Sequence, residues 1–206
     1  MVSRNLVFWE VDTQADFMLP GGKLYVPGAE KLLPNLRKLT DAARQGRVFL
    51  VSHGCYHSKD DPEFATFPPH CIKGTAGAGV VPEGLTAKVV TVPNEPAAQV
   101  PHDLSPYQQI LLEKQTLDIF ASRHADELLG RLDPEAELVV FGVVTEYCVR
   151  LAAKGLLERG RRVSVVRDAI ETLNAQEGQK TISELEALGA KFITTDQALT
   201  LLDDVK

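Results

Sequence analysis

Three side chains in this sequence have the chemistry of a nucleophilic site, and each stands at the end of an apolar run. Cys148 follows Leu138-Val139-Val140-Phe141 and a turn at Gly142, Asp12 closes the run Leu6–Val11, and Lys114 comes two residues after Ile110-Leu111-Leu112. A carboxylate that takes a thiol proton, an ammonium that stabilises negative charge and a thiol that attacks a carbonyl would together perform acyl transfer. Each residue alone also has an ordinary reading: Asp12 capping a turn, Lys114 solvated, Cys148 a small core residue.

The surrounding pattern supplies the elements that must position them. Val149, Ala152, Ala153, Leu156 and Leu157 fall on one helical face and Gly160 stops it, so Cys148 is expected in or near a helix's first turn. Unpaired N–H groups and the positive end of the helix dipole there favour a thiolate. Leu6–Val11, Val48–Val51, Ala87–Val92, Ile110–Leu112, Leu138–Phe141, Val163–Val166 and Phe192-Ile193 read as strands, with Asp168 just past the sixth. Helical patterns cover Leu32 to Ala43, with Pro34 in the first turn and Gly46 as the stop, then Ser122 to Leu132, Gln176 to Leu188, and a last turn from Asp196. This alternation predicts a three-layer αβα, doubly wound, mostly parallel α/β sheet whose strand ends bring Asp12, Lys114 and Cys148 to one edge. Ser52 to Leu85 has neither period, and a loop that long in a compact domain is usually functional.

At 206 residues and 44% hydrophobic content the chain reads as a single domain, 1–206. A net charge of −6 with interspersed signs argues against nucleic acid as a partner. No apolar run approaches the roughly 20 residues of a membrane span, and no charged segment precedes a long apolar one at the N-terminus. Together with the odd count of three cysteines, this predicts a soluble, cytoplasmic protein with thiols or ligands rather than disulfides. Asp60-Asp61 and Asp203-Asp204 read as solvated charges.

Four blocks carry a family resemblance. They are Asp12-x-Gln14-x-Asp16-Phe17 with Pro20-Gly21-Gly22 and Val26-Pro27-Gly28-Ala29-Glu30; Phe67-Pro68-Pro69-His70-Cys71-Ile72-x-Gly74-Thr75; Lys114-Gln115-Thr116-x-Asp118-x-Phe120; and Gly142 through Val149. In this order they resemble the isochorismatase-like cysteine hydrolases, and the nicotinamidases among them. The resemblance implies a catalytic triad of Asp12, Lys114 and Cys148, a cis peptide joining Val143 to Val144, and an oxyanion hole from the backbone N–H groups of Val144 and Cys148. It implies Phe17 and Phe67 as aromatic walls around a small-molecule substrate, with Tyr147 beside the nucleophile. It also implies hydrolysis of a small amide through a thioester, no nucleotide or redox cofactor, and a homo-oligomer.

One departure concerns a metal. Nicotinamidases bind a divalent ion beside the triad through an Asp-x-His motif and a further histidine. This chain has Cys55-Tyr56-His57 in that place, followed by Glu63 and His70. Two imidazoles and a thiolate, with Glu63 as a further donor, suit zinc better than magnesium. The alternative is that His57 and His70 are ordinary loop residues and Cys55 is simply buried. His53 and Cys71 adjoin these positions without an assigned role. Two rival functions follow: a metal-independent isochorismatase-like hydrolase of a vinyl ether, which the missing Asp favours, and an inactive member kept as a binding or scaffold subunit, which an intact triad disfavours.

Overall fold

The computed structural model describes residues 5–203; Asp204 and the outermost residues of the expected 1–206 domain lie outside that range. Seven strands form one sheet: β1 (Leu6–Val11), β2 (Phe49–Cys55), β3 (Val89–Val92), β4 (Gln109–Lys114), β5 (Glu137–Val143), β6 (Arg162–Glu171) and β7 (Lys191–Ile193). Their order is β3-β4-β2-β1-β5-β6-β7, and every neighbouring pair is parallel. The chain first builds outward from β1 through β2, then returns to lay β5 on the other side of β1. The strand order therefore reverses between β1 and β5, where open α/β sheets place their ligand crevice.

Among the described residues six α-helices complete the layers: α1 (Ala15–Met18), α2 (Leu33–Arg44), α3 (Ala125–Leu129), α4 (Arg150–Glu158), α5 (Ala175–Ala187) and α6 (Thr195–Thr200). Leu36, Leu39 and Ala43 of α2 and Ala198 of α6 pack on Phe8, Leu50, Val139 and Phe141 on one face of the sheet. On the other face, Leu128 of α3, Ala152, Ala153 and Leu156 of α4 and Leu185 of α5 pack on Trp9, Val51, Ile110 and Val140. The even members of β1 thus serve one core and the odd members the other, as a strand buried on both faces requires. Each fully buried Leu or Phe contributes about 1.5–3 kcal/mol by leaving water.

Several boundaries differ from the pattern-based expectation. β2 runs on through Ser52-His53-Gly54-Cys55 because β1 and β4 flank it, pairing Glu10 with Ser52, Val11 with His53 and Lys114 with Cys55. The helix expected over Ser122–Leu132 shrinks to α3 after a 3-10 turn at Ile119–Ala121. Asp168 lies inside β6 rather than past it, and its Oδ1 accepts the Thr195 N–H at 2.7 Å, tying β6 to the start of α6. Beyond Cys55 the long loop does hold only short 3-10 turns up to Gly84.

Gly142 has a positional requirement. With φ of 122° it sits opposite Val11, and a Cβ there would stand 2.0 Å from the Val11 carbonyl oxygen. Only glycine lets β5 pass that close to β1 while turning toward Cys148.

Candidate active site

Asp12, Lys114 and Cys148 converge beyond the C-terminal ends of β1, β4 and β5. Lys114 Nζ donates to Asp12 Oδ2 at 2.9 Å and to Cys55 Sγ at 2.9 Å, and lies 3.6 Å from Cys148 Sγ. Asp12 takes a left-handed backbone conformation, φ 49°, and its N–H donates to the His53 carbonyl at 2.9 Å, which turns its side chain back over the sheet edge. Cys148 sits in a single π-helical turn, Thr145–Val149, closed by a bond from the Val149 N–H to the Val144 carbonyl at 3.1 Å. It precedes α4 rather than occupying that helix's first turn. The Val143–Val144 peptide bond is cis. Thr145 Oγ1 donates to the Glu171 carbonyl, and Glu146 accepts the N–H groups of Leu173 and Asn174, so the turn that carries Cys148 is fastened to the end of β6 and the start of α5.

The electrostatics of this cluster follow from burial. Burial alone would raise the Asp12 carboxyl, but the Lys114 ammonium and the adjoining His53 outweigh it and hold Asp12 well below the usual carboxylate range. Burial works against the Lys114 ammonium too, yet Asp12 and the two sulfurs hold its pKa well above the ordinary value. For Cys148, burial and then the Asp12 charge push the thiol well up, against the pull of Lys114. The sequence pattern led to the expectation of a helix-stabilised thiolate; burial and the Asp12 charge both act against that form at Cys148.

The pocket above these groups is small and apolar. It has about 110 Å³ of interior and is lined by Phe17, Phe67, Val144, Tyr147 and Cys148 with Leu24, Val26, Leu117 and Leu173. Phe67 and Tyr147 meet edge to face at 6.3 Å, and Tyr147 and Leu173 stand at its exposed mouth. Glu63 is the one charged residue in that lining, its carboxyl raised by burial.

Cys55, His57 and His70 form a second cluster at the pocket's edge, one ligand atom from each lying within 4.8 Å of the others. His57 is fully buried with no aligned hydrogen-bond partner at either ring nitrogen among the described residues, although Nδ1 stands 3.0 Å from Asp61 Oδ2. His70 Nδ1 contacts the Pro68 carbonyl at 2.9 Å, which places the proton on Nδ1 and leaves Nε2 as an acceptor. Glu63 lines the same pocket but stands outside this three-residue cluster. Burial and the Asp12 charge push the Cys55 thiol up to about 12.

Three further residues hold these groups. Gln14 clamps the Cys55 backbone, accepting its N–H at 2.7 Å and donating to its carbonyl at 2.5 Å, and a Cβ on Gly54 would stand 2.9 Å from the Gln14 amide. Asp16 accepts the Cys71 N–H at 2.7 Å and so pins the turn that carries His70. Both stand in the opening motif, where alternate polar residues after a strand were the available signal. Asp61 is not a merely solvated charge: it caps the turn at Pro62–Ala65 and faces His57.

The chain matches the Isochorismatase domain family over residues 6–197. It is 25% identical to the nicotinamidase of Escherichia coli (strain K12), the match covering 89% of this chain and 92% of the relative. Among solved structures, it aligns with an isochorismatase-like hydrolase from Alkaliphilus metalliredigens at a TM-score of 0.75 and 24% identity, over 95% of this chain and 97% of the other. It also aligns with the pyrazinamidase of Pyrococcus horikoshii in complex with zinc at 0.73 and 23%, over 93% and 99%. The sheet, the site at its switch point and these matches agree: the chain is a hydrolase of the isochorismatase family.

Proposed function

We propose that this chain hydrolyses a small, neutral, ring-sized amide of the nicotinamide type, with Asp12, Lys114 and Cys148 as its catalytic residues. The observation that carries the reading is Lys114 Nζ, 2.9 Å from Asp12 and 3.6 Å from Cys148, beneath an apolar pocket. Asp12 accepts the Cys148 proton as sulfur attacks the amide carbon. The resulting oxyanion is taken by the backbone N–H groups of Val144 and Cys148, with Lys114 holding the charge of the site. Collapse breaks the C–N bond while Asp12 returns the proton to nitrogen, releasing ammonia and leaving a thioester on Cys148. Water, losing a proton to Asp12, attacks the thioester; collapse releases the acid and the proton passes back to sulfur.

Pocket size and polarity support an amide over an isochorismate-type vinyl ether. About 110 Å³ is well under the roughly 300 Å³ at the small end of drug-sized sites, and suits one ring flanked by Phe17 and Phe67. A vinyl ether carrying carboxylates would meet Glu63 in the lining and neither Arg nor Lys there.

The Cys55, His57 and His70 donors fit a zinc ion: two imidazole nitrogens and one sulfur are a zinc set, and with Asp61 facing Nδ1 of buried His57 its Nε2 is left without a partner among the described residues. A metal held there would supply a Lewis-acid contact for a ring nitrogen of the substrate. The test is ammonia release from nicotinamide and a panel of small amides by wild type, Cys148→Ala and chelator-treated protein. Turnover by wild type alone supports a metal-assisted thiol amidase; turnover that survives chelation removes the metal; no turnover on the panel removes the amide reading.

A further inference from the structure

His53 has no place in the mechanism above, yet it is fully buried against its base. Its position in β2 puts it opposite Val11, and its carbonyl accepts the Asp12 N–H at 2.9 Å. Its ring Nδ1 stands 3.4 Å from Asp12 Oδ1, the carboxylate oxygen that Lys114 does not hold. Among the described residues, neither Oδ1 nor either His53 ring nitrogen has an aligned hydrogen-bond partner. A buried donor and a buried acceptor at 3.4 Å need only a small ring rotation to satisfy one another, and leaving both unpaired is costly. Catalytic hydrogen bonds are often this long before substrate binds. The Trp9 ring packs edge-on to the imidazole at 6.3 Å and limits which way it can turn.

We propose that His53 is a positioning residue for Asp12: its Nδ1–H holds Oδ1 while Lys114 holds Oδ2, which fixes the carboxylate plane toward Cys148. This rests on the reading of Asp12 as the proton acceptor. The imidazole lines no part of the substrate pocket, so it acts through Asp12 and does not touch substrate. The arrangement requires the neutral ring with its proton on Nδ1.

Two measurements test it, and they separate. In the full chain labelled with 15N-histidine, which has five histidines, the signal lost in His53→Asn assigns His53. The expected spectrum shows protonated Nδ1 and unprotonated Nε2, with the Nδ1 proton displaced in Asp12→Asn. An Nε2–H tautomer, or a signal indifferent to Asp12→Asn, overturns the proposal whatever the substrate is. Kinetically, Asn places an amide nitrogen where Nδ1 stands, whereas Gln places one where Nε2 stands. His53→Gln should lose kcat on the order of 100-fold with KM little changed, and His53→Asn should recover most of that loss. Equal kcat in the two variants overturns the proposal. Should no amide be turned over, the amide reading fails and the NMR result still decides His53.

Discussion

Removing the ammonium from the buried pair should destabilise the whole protein, because Asp12 would be left ionised without its counter-charge. Asp12 and Lys114 are each 1% exposed and 2.9 Å apart. Breaking such a pair from one side costs about 3–5 kcal/mol. At about 2.1 cal/mol/K per residue, a chain of 206 residues unfolds with roughly 0.43 kcal/mol/K, so Lys114→Met should lower Tm by about 7–12 °C near neutral pH. In wild type the Asp12 pKa is depressed, so its contribution is present above the unfolded carboxyl value and is lost as pH falls through the folded one. Without Lys114 only the adjoining His53 opposes the burial penalty, which is then the larger effect, so the Tm deficit of the variant should grow from about pH 4 upward. Scanning fluorimetry from pH 5 to pH 8 measures it, and Asp12→Asn with Lys114→Met should regain at least half the loss. A single variant within about 2 °C of wild type at pH 7.5, or a double variant no better than the single, refutes the buried-pair reasoning.

Glu10, fully buried under Ser52, Thr13 and Gln109, has its carboxyl raised to about 7, chiefly by burial. A raised carboxyl stabilises below the unfolded value of 4.5 and loses that advantage as pH rises through 7, about 3 kcal/mol in all. Urea midpoints should therefore fall from pH 5 to pH 8 in wild type and stay flatter in Glu10→Gln; parallel curves contradict this. Gly142→Ala forces a Cβ against the Val11 carbonyl and should cost more than about 4 kcal/mol, read as lost near-UV circular dichroism; a native-like spectrum and Tm would be wrong for this geometry. Cobalt bound at Cys55, His57 and His70 should show a near-ultraviolet thiolate-to-metal band that Cys55→Asp abolishes while cobalt stays bound. A band unchanged in Cys55→Asp would place the metal elsewhere.

The parallel sheet was legible because its central strands are near-continuous apolar runs: Leu6–Val11 is β1 to the residue. The convergence of Asp12 and Lys114 was legible for the same reason, since the end of such a run is locally marked. The extension of β2 through Ser52-His53-Gly54-Cys55 was not, because those four residues are in a strand only by virtue of ladders from β1 and β4. Asp61 and Glu10 carry no sign in sequence of what they face, and their roles come from contacts 4 and 42 residues away, to His57 and Ser52. The opposing influence of burial and the Asp12 charge on the Cys148 thiol was not legible from a local argument at the helix end, because both are set by tertiary packing.

In the proposed reaction Cys148 carries the acyl group between amide and acid. Acid-quenching wild type during steady-state turnover of nicotinamide, followed by peptide mass mapping, tests it most directly. A nicotinoyl thioester should appear on the peptide containing Cys148 and be absent from Cys148→Ala, which should also release no ammonia. Sustained ammonia release from Cys148→Ala, or an acyl group on Cys55 instead, would contradict it.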